Sequence, residues 1–227
     1  MKVDPTLVNL LSIFTPFIEN VLDQGDNDLG SGGVLLLPAL PGPFPFMDVA
    51  AGKAGTMYLL NEASLGGFTP GGPDKALEEK KIGRCWCGPS YFTGPDGVGR
   101  VVSSGGSTTT SNSAQITVWK IQTSPTVAFV QEGAALPVAS GDDPGTFTTV
   151  SSNGTQAGTT IIWVTGRPTG TGPNPATVNL LCFRGDAFEW NAPVVVFLAG
   201  WIMAQLRYLQ RQYRADRGEW TCVCGKQ

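Results

Sequence analysis

From residue 26 to 187 the apolar positions come in short runs of strand length, separated by clusters of Gly, Pro, Asn and Asp, the pattern of an all-β chain. The runs fall at 34–37, 46–50, 56–60, 84–87 continuing to 91–92, 99–102, 116–121, 127–130, 146–150, 159–164 and 178–183. Between the second and third runs lie Gly52 and Gly55, which supply the positive φ of a tight hairpin. Two stretches rich in Ser, Thr, Gly and Pro, 103–115 and 166–176, read as long loops between strands.

The runs group into three similar units. Each ends in a strand with a large side chain near its middle (Tyr58, Trp119, Leu181), followed by a polar turn that opens at Asn61, Gln122 and Arg184. Leu60 and Trp119 are 59 residues apart, and Trp119 and Cys182 are 63 apart. A unit of three or four strands repeated at that distance predicts propeller blades, each covering its faces only with its neighbours. A single β-sandwich of about ten strands stays open as the alternative.

Composition narrows the chemistry. The chain has 227 residues, 30 of them Gly and 17 Pro, with 15% charged and 41% hydrophobic positions, enough apolar material for a core. It contains no His, which removes the Ser-His-Asp triad, the Cys-His dyad and His-dependent metal sites. The net charge of −3 argues against nucleic acid as the main partner. No run reaches the about 18 apolar residues of a spanning helix, and Asp4, Pro5 and Pro16 argue against a signal peptide at the start.

The charge is unevenly spread. Residues 1–187 hold 10 Lys and Arg against 15 Asp and Glu, while residues 188–227 hold 5 against 3, so a −5 body carries a +2 tail. Read directly, the tail is an amphipathic or tail-anchor helix, apolar over 194–206 and followed by Arg207, Arg211, Arg214 and Arg217. Read one base later, Met203-Ala204 gives Trp, and Trp190-Asn191 and Trp220-Thr221 each give Gly behind Asn or Ser, the turn dipeptide of a hairpin. We expect 188–227 to be a frameshift product without evolved function, which divides the chain into a lead-in (1–25), a β body (26–187) and this tail.

The stretches 26–38 (DNDLGSGGVLLLP), 51–61 (AGKAGTMYLLN), 85–92 (CWCGPSYF), 97–106 (GVGRVVSSGG) and 158–164 (GTTIIWV) resemble bacterial PQQ-like, quinoprotein-type β-propeller repeat proteins. The resemblance runs from about Ser12 to Ala187. It implies a ring of about six to eight blades, of which this chain supplies about three, and a periplasmic or extracellular full-length protein. The repeat motif falls on Asp26, Asp28, Gly30, Gly52, Gly55, Cys85, Trp86, Cys87, Trp119 and Trp163.

Two functions are compatible with that resemblance. The favoured one is a non-catalytic scaffold that binds a protein or a carbohydrate. The other is the remnant of a quinoprotein oxidoreductase, with PQQ polarised by calcium and an Asp as base. Family members with the quinone carry an adjacent Cys-Cys pair, and Cys85-Trp86-Cys87 departs from it. On a strand, Trp86 would face opposite to both thiols, leaving the sulfurs to pack as small hydrophobes. Their spacing, with Cys222 and Cys224 in the tail, is not that of a structural zinc site.

Asp26 and Asp28 have the alternation that opens a calcium loop, but position 37 is Leu where Glu is needed. The reading preferred here is that they hydrogen-bond a turn and that the nearby glycines let blades approach closely. Gly97-Val98-Gly99 and 142–145 (DDPG) read as turns rather than as a nucleotide loop or a catalytic carboxylate pair.

Overall fold

The structure is a computed structural model, and it describes residues 1–106, 113–139, 144–165, 179–184 and 195–198. A short hairpin of β1 (Lys2–Val3) and β2 (Leu10–Ser12) precedes helix α1 (Glu19–Gln24) and a 3-10 turn over Leu29–Gly32. Three four-stranded antiparallel meanders follow. Sheet I is β3 (Val34–Leu36), β4 (Met47–Ala51), β5 (Thr56–Asn61) and β6 (Glu78–Lys81). Sheet II is β7 (Ser90–Thr93), β8 (Gly99–Ser103), β9 (Ser113–Gln122) and β10 (Ala128–Ala139). Sheet III is β11 (Phe147–Ser151), β12 (Ile161–Thr165), β13 (Asn179–Arg184) and β14 (Val195–Leu198). In each, chain order equals spatial order. The first strands begin at Val34, Ser90 and Phe147, so the structural repeat is 56 and then 57 residues.

Strand alternation decides which sheet meets which. Met57 and Leu59 of β5, with Met47 and Val49 of β4, turn toward sheet II and bury completely against Val101, Trp119, Ile121 and Phe129. The opposite residues of sheet II, Phe92, Val102, Ile116 and Val118, pack on Ile162 and Val164 of sheet III. Fully burying each of these large side chains contributes about 1.5–3 kcal/mol before the entropy of ordering is subtracted. Sheet II is thus the middle layer of three.

Tyr58 and Leu60 point to the other face of sheet I, where the N-terminal segment covers them. The Phe14 ring lies 5.0 Å from that of Tyr58. Backbone bonds hold the segment in place: Thr15 N–H to the Gly67 carbonyl at 3.0 Å and Gly67 N–H to the Ile13 carbonyl at 2.8 Å.

Glycine makes the seam between sheets I and II possible. Gly83, at φ +84, lies so close to the Gly106 carbonyl that no Cβ fits there, and a Cβ on Gly55 would sit 2.6 Å from the Gly83 carbonyl carbon. The connection that leaves β6 therefore threads between two hairpin ends, its Ile82 N–H bonded to the Gly55 carbonyl at 2.9 Å.

Several expectations change. The run 84–87 is not a strand but a loop before β7, because its main-chain groups bond outward: Trp86 N–H to the Pro144 carbonyl at 3.2 Å, and the Arg84 carbonyl accepting from Gly106 N–H at 2.7 Å. The loop expected over 103–115 is shorter, since β9 begins at Ser113. The polar run Glu78–Lys81 pairs with β5, although nothing apolar in it suggests a strand. In the tail, Val195–Leu198 is a strand antiparallel to β13, not a helical turn. The remaining tail residues, Asp142 and Asp143, and the run 166–176 lie outside the described residues. Three separate meanders also do not fit a two-sheet sandwich.

Candidate functional site

The first strands of the three sheets converge. Gly88, just before β7, bridges in parallel to Phe147 at the start of β11, and a cleft of about 280 Å³ opens between the two and β3. Its lining is Ser31, Gly32, Gly33, Val34, Leu35, Gly88, Pro89 and Phe147. Phe147 is 54% exposed and Val34 63%, so the walls are apolar and open. Ser31 Oγ, the one side-chain hydroxyl of the lining, is engaged with the Asp28 carbonyl at 3.0 Å and the Cys85 carbonyl at 2.9 Å. What the cleft presents is backbone and hydrocarbon.

Cys85 and Cys87 lie beside this cleft as a disulfide, correcting the expectation of two small packed thiols. Their Cα atoms are 5.0 Å apart, within the range a disulfide spans, and both residues are wholly buried in the core shared by sheets I and II. Trp86 between them is flanked by cations, Lys53 Nζ and Arg84 each 5.1 Å from its ring centre.

Asp26 and Asp28 are joined to the β4–β5 hairpin by Lys53. The Lys53 ammonium donates to Asp26 Oδ2 at 2.6 Å and lies 3.6 Å from Asp28 Oδ2, while Lys53 N–H donates to the Asp28 carbonyl at 3.0 Å. The hydrogen bond from Lys53 and then its charge hold the Asp26 carboxyl below its ordinary value. The two carboxylates therefore fasten a turn to a hairpin. Gly52 and Gly55 sit where backbone meets backbone, a Cβ on Gly52 lying 3.0 Å from the Leu29 Cα, whereas a Cβ on Gly30 would meet open space.

Trp119 and Trp163 share one device. Each indole N–H donates diagonally to a serine on the neighbouring strand, Trp119 to Ser103 Oγ at 2.8 Å and Trp163 to Ser151 Oγ at 2.9 Å. Trp119 is third in its sheet and buried against sheet I, whereas Trp163 is second in its sheet and only partly covered.

Two charged groupings were not singled out from the sequence. Arg100 of β8 is 3% exposed and uses every donor it has: Nε and Nη2 on Glu132 at 2.5 and 3.0 Å, Nη1 and Nη2 on Asp96 at 2.7 and 3.0 Å, and Nη1 on the Val98 carbonyl at 2.9 Å. Lys120 completes the network, 3.0 Å from Asp96 and 3.2 Å from Glu132. The Arg100 hydrogen bond, against burial, holds the Asp96 carboxyl well below the usual range. With both charges of each sign matched, the network closes the rim of sheet II.

The second grouping is Asp48, 7% exposed on β4, with Oδ1 lacking a hydrogen-bond partner. Burial first, and then the neighbouring Glu62 charge, push its carboxyl up to about 6, against a counter-pull from Lys2. Lys2 Nζ itself donates to the Glu62 carbonyl at 3.0 Å, tying the N-terminal hairpin to the same spot.

Compared with known proteins, the chain matches no family model, no curated protein and no solved structure. No helix among the described residues is long and apolar enough to cross a membrane.

Proposed function

We propose that the three meanders are consecutive blades of a β-propeller of the PQQ-like repeat type, and that the protein is a non-catalytic binding scaffold of the cell envelope whose partner, a protein or carbohydrate, docks where the first strands converge. The observation that carries this reading is the repeat itself: three antiparallel meanders in chain order, at 56 and 57 residues, with β3, the residues just before β7 and the start of β11 bordering one cleft. The missing blades belong to the rest of such a ring.

The quinoprotein alternative has less behind it. PQQ carries carboxylates that need cationic donors and a calcium that needs oxygen ligands. The described cleft lining holds neither an Arg or Lys nor an Asp or Glu, and the nearby disulfide is wholly buried. The residues present do not fit the cofactor.

The test combines two assays on one preparation. Dye-linked alcohol oxidation is measured after incubation with PQQ and calcium, and binding of a soluble β-glucan oligosaccharide and of a short extended peptide is measured by calorimetry. The scaffold reading expects no quinone-dependent turnover and saturable binding of one of the two probes, weakened in Phe147→Ala. Turnover that depends on PQQ would overturn it.

A further inference from the structure

The two edges of sheet I are built differently. The β6 edge is Glu78, Glu79, Lys80 and Lys81, charges that discourage another strand from pairing. The β3 edge is Val34, Leu35 and Leu36, with no charge, and Val34 and Leu36 are 63% and 69% exposed. Register places the ladder bonds on Leu35 and Leu37, the latter with its N–H on the Met47 carbonyl at 3.0 Å. Alternation then turns the N–H and C=O of Val34 and Leu36 away from β4, toward the open edge. Among the described residues no strand pairs with that edge.

The cleft lies directly along it. Gly33, at φ +66 with open space where a Cβ would be, leaves the approach to Val34 clear, and Gly88 and Phe147 form the facing wall.

We propose that the β3 edge takes a short, extended, apolar peptide by strand addition, its main chain paired with Val34 and Leu36 and one side chain seated in the cleft against Phe147. Size selects the occupant. A three-residue strand offers an edge about 10 Å long, too short to bury by itself the about 1,200 Å² of a stable contact between two copies of the chain. Chemistry selects it again. A sugar needs side-chain donors and acceptors around its hydroxyls, and the only side-chain hydroxyl of the lining is already committed. Paired main-chain groups with apolar walls fit a peptide backbone.

The inference rests on the scaffold reading and names the partner class for its cleft. The test follows the backbone amide signals of isotope-labelled protein during titration with the capped peptide Ac-Thr-Val-Thr-Val-Thr-NH2, the same peptide N-methylated at both Val residues, and cellotetraose. The expected result is a saturable shift of the Val34 and Leu36 amides with the first peptide and at least a tenfold loss of affinity for the N-methylated one. Leu36→Pro deletes a donor that the sheet does not use, so the variant keeps the Leu35 and Leu37 signals and loses at least tenfold. Phe147→Ala, which leaves the strand untouched, serves the same comparison if Leu36→Pro does not fold. Equal binding of both peptides, no shift with either, or a shift with cellotetraose alone would each overturn the proposal. Cellotetraose binding would leave the scaffold reading standing, whereas quinone-dependent turnover would defeat that reading by itself.

Discussion

Sheet II meets its two neighbours with different chemistry. Toward sheet I it presents Val101, Trp119, Ile121 and Phe129, an apolar surface closed by glycine contacts and the Cys85–Cys87 disulfide. Toward sheet III it presents Phe92, Val102, Ile116 and Val118, and the same side of β8 and β9 also carries Arg100 and Lys120 with their acidic partners. The contrast teaches that one alternating sequence can write two interfaces. Residues 101, 103, 117, 119 and 121 write one, and residues 100, 102, 116, 118 and 120 write the other.

The largest effects are expected from breaking either side of sheet II. Arg100→Ala leaves Glu132, whose side chain is 13% exposed, and Asp96 with only Lys120 between them, and removing one partner of a buried network costs about 3–5 kcal/mol. Urea unfolding should show that loss as a lower midpoint with an unchanged slope.

On the apolar side, Trp119→Ala should cost about 3–5 kcal/mol through the cavity left against sheet I. Trp163→Ala removes a similar indole–serine bond from a partly covered position, with an expected loss of about 1 kcal/mol. Equal losses in paired unfolding experiments would mean that the far face of sheet III is as closed as the interface of sheets I and II.

Asp48 gives a smaller effect of opposite sign. Its carboxyl ordinarily titrates at 3.8 and is raised in the folded protein to about 6, so the folded state holds the proton more tightly and stability falls as pH rises from about 4 to 6. Asp48→Asn removes that loss. We expect the variant to be more stable than the wild type by roughly 1–2 kcal/mol at pH 7, with the gap closing toward pH 4. Thermal unfolding at the two pH values checks it; a destabilised variant at pH 7 would mean that the ionised carboxylate holds Lys2 in place.

The smallest effect belongs to Asp26→Asn, because that side chain is 87% exposed and its pairing with Lys53 is screened by solvent. Thermal unfolding at low and high salt should show no resolvable change at either.

Most strands were legible because half-buried strands alternate and end at Gly, Pro or Asn. Thus 56–60, 99–102 and 159–164 lie within a residue or two of β5, β8 and β12. β6 was illegible for the converse reason: Glu78–Lys81 pairs on one side only and carries four charged side chains, one of which, Lys80, lies half-buried over the Trp119 ring where an apolar residue would have signalled a strand. The Cys85–Cys87 loop misled because apolar residues in a row read as a strand, whereas these two are buried by their disulfide and by neighbours far away in sequence.

The candidate site was the least legible part. Its working groups are the main chain of Val34 and Leu36 and the open space at Gly33, and sequence shows which side chains exist but not which backbone groups go unpaired. The Arg100 network was hidden likewise, because Glu132 reaches Arg100 only through the β9–β10 pairing.

The central claim is that the three meanders are blades of one ring. Residual dipolar couplings for the amides of β3–β5, β7–β10 and β11–β12 report how each sheet is oriented. The account predicts that the rotation from sheet I to sheet II is repeated, in size and in hand, from sheet II to sheet III, about a single axis beside β3, β7 and β11. Rotations that differ in hand, or three sheets lying parallel as flat layers, would contradict it.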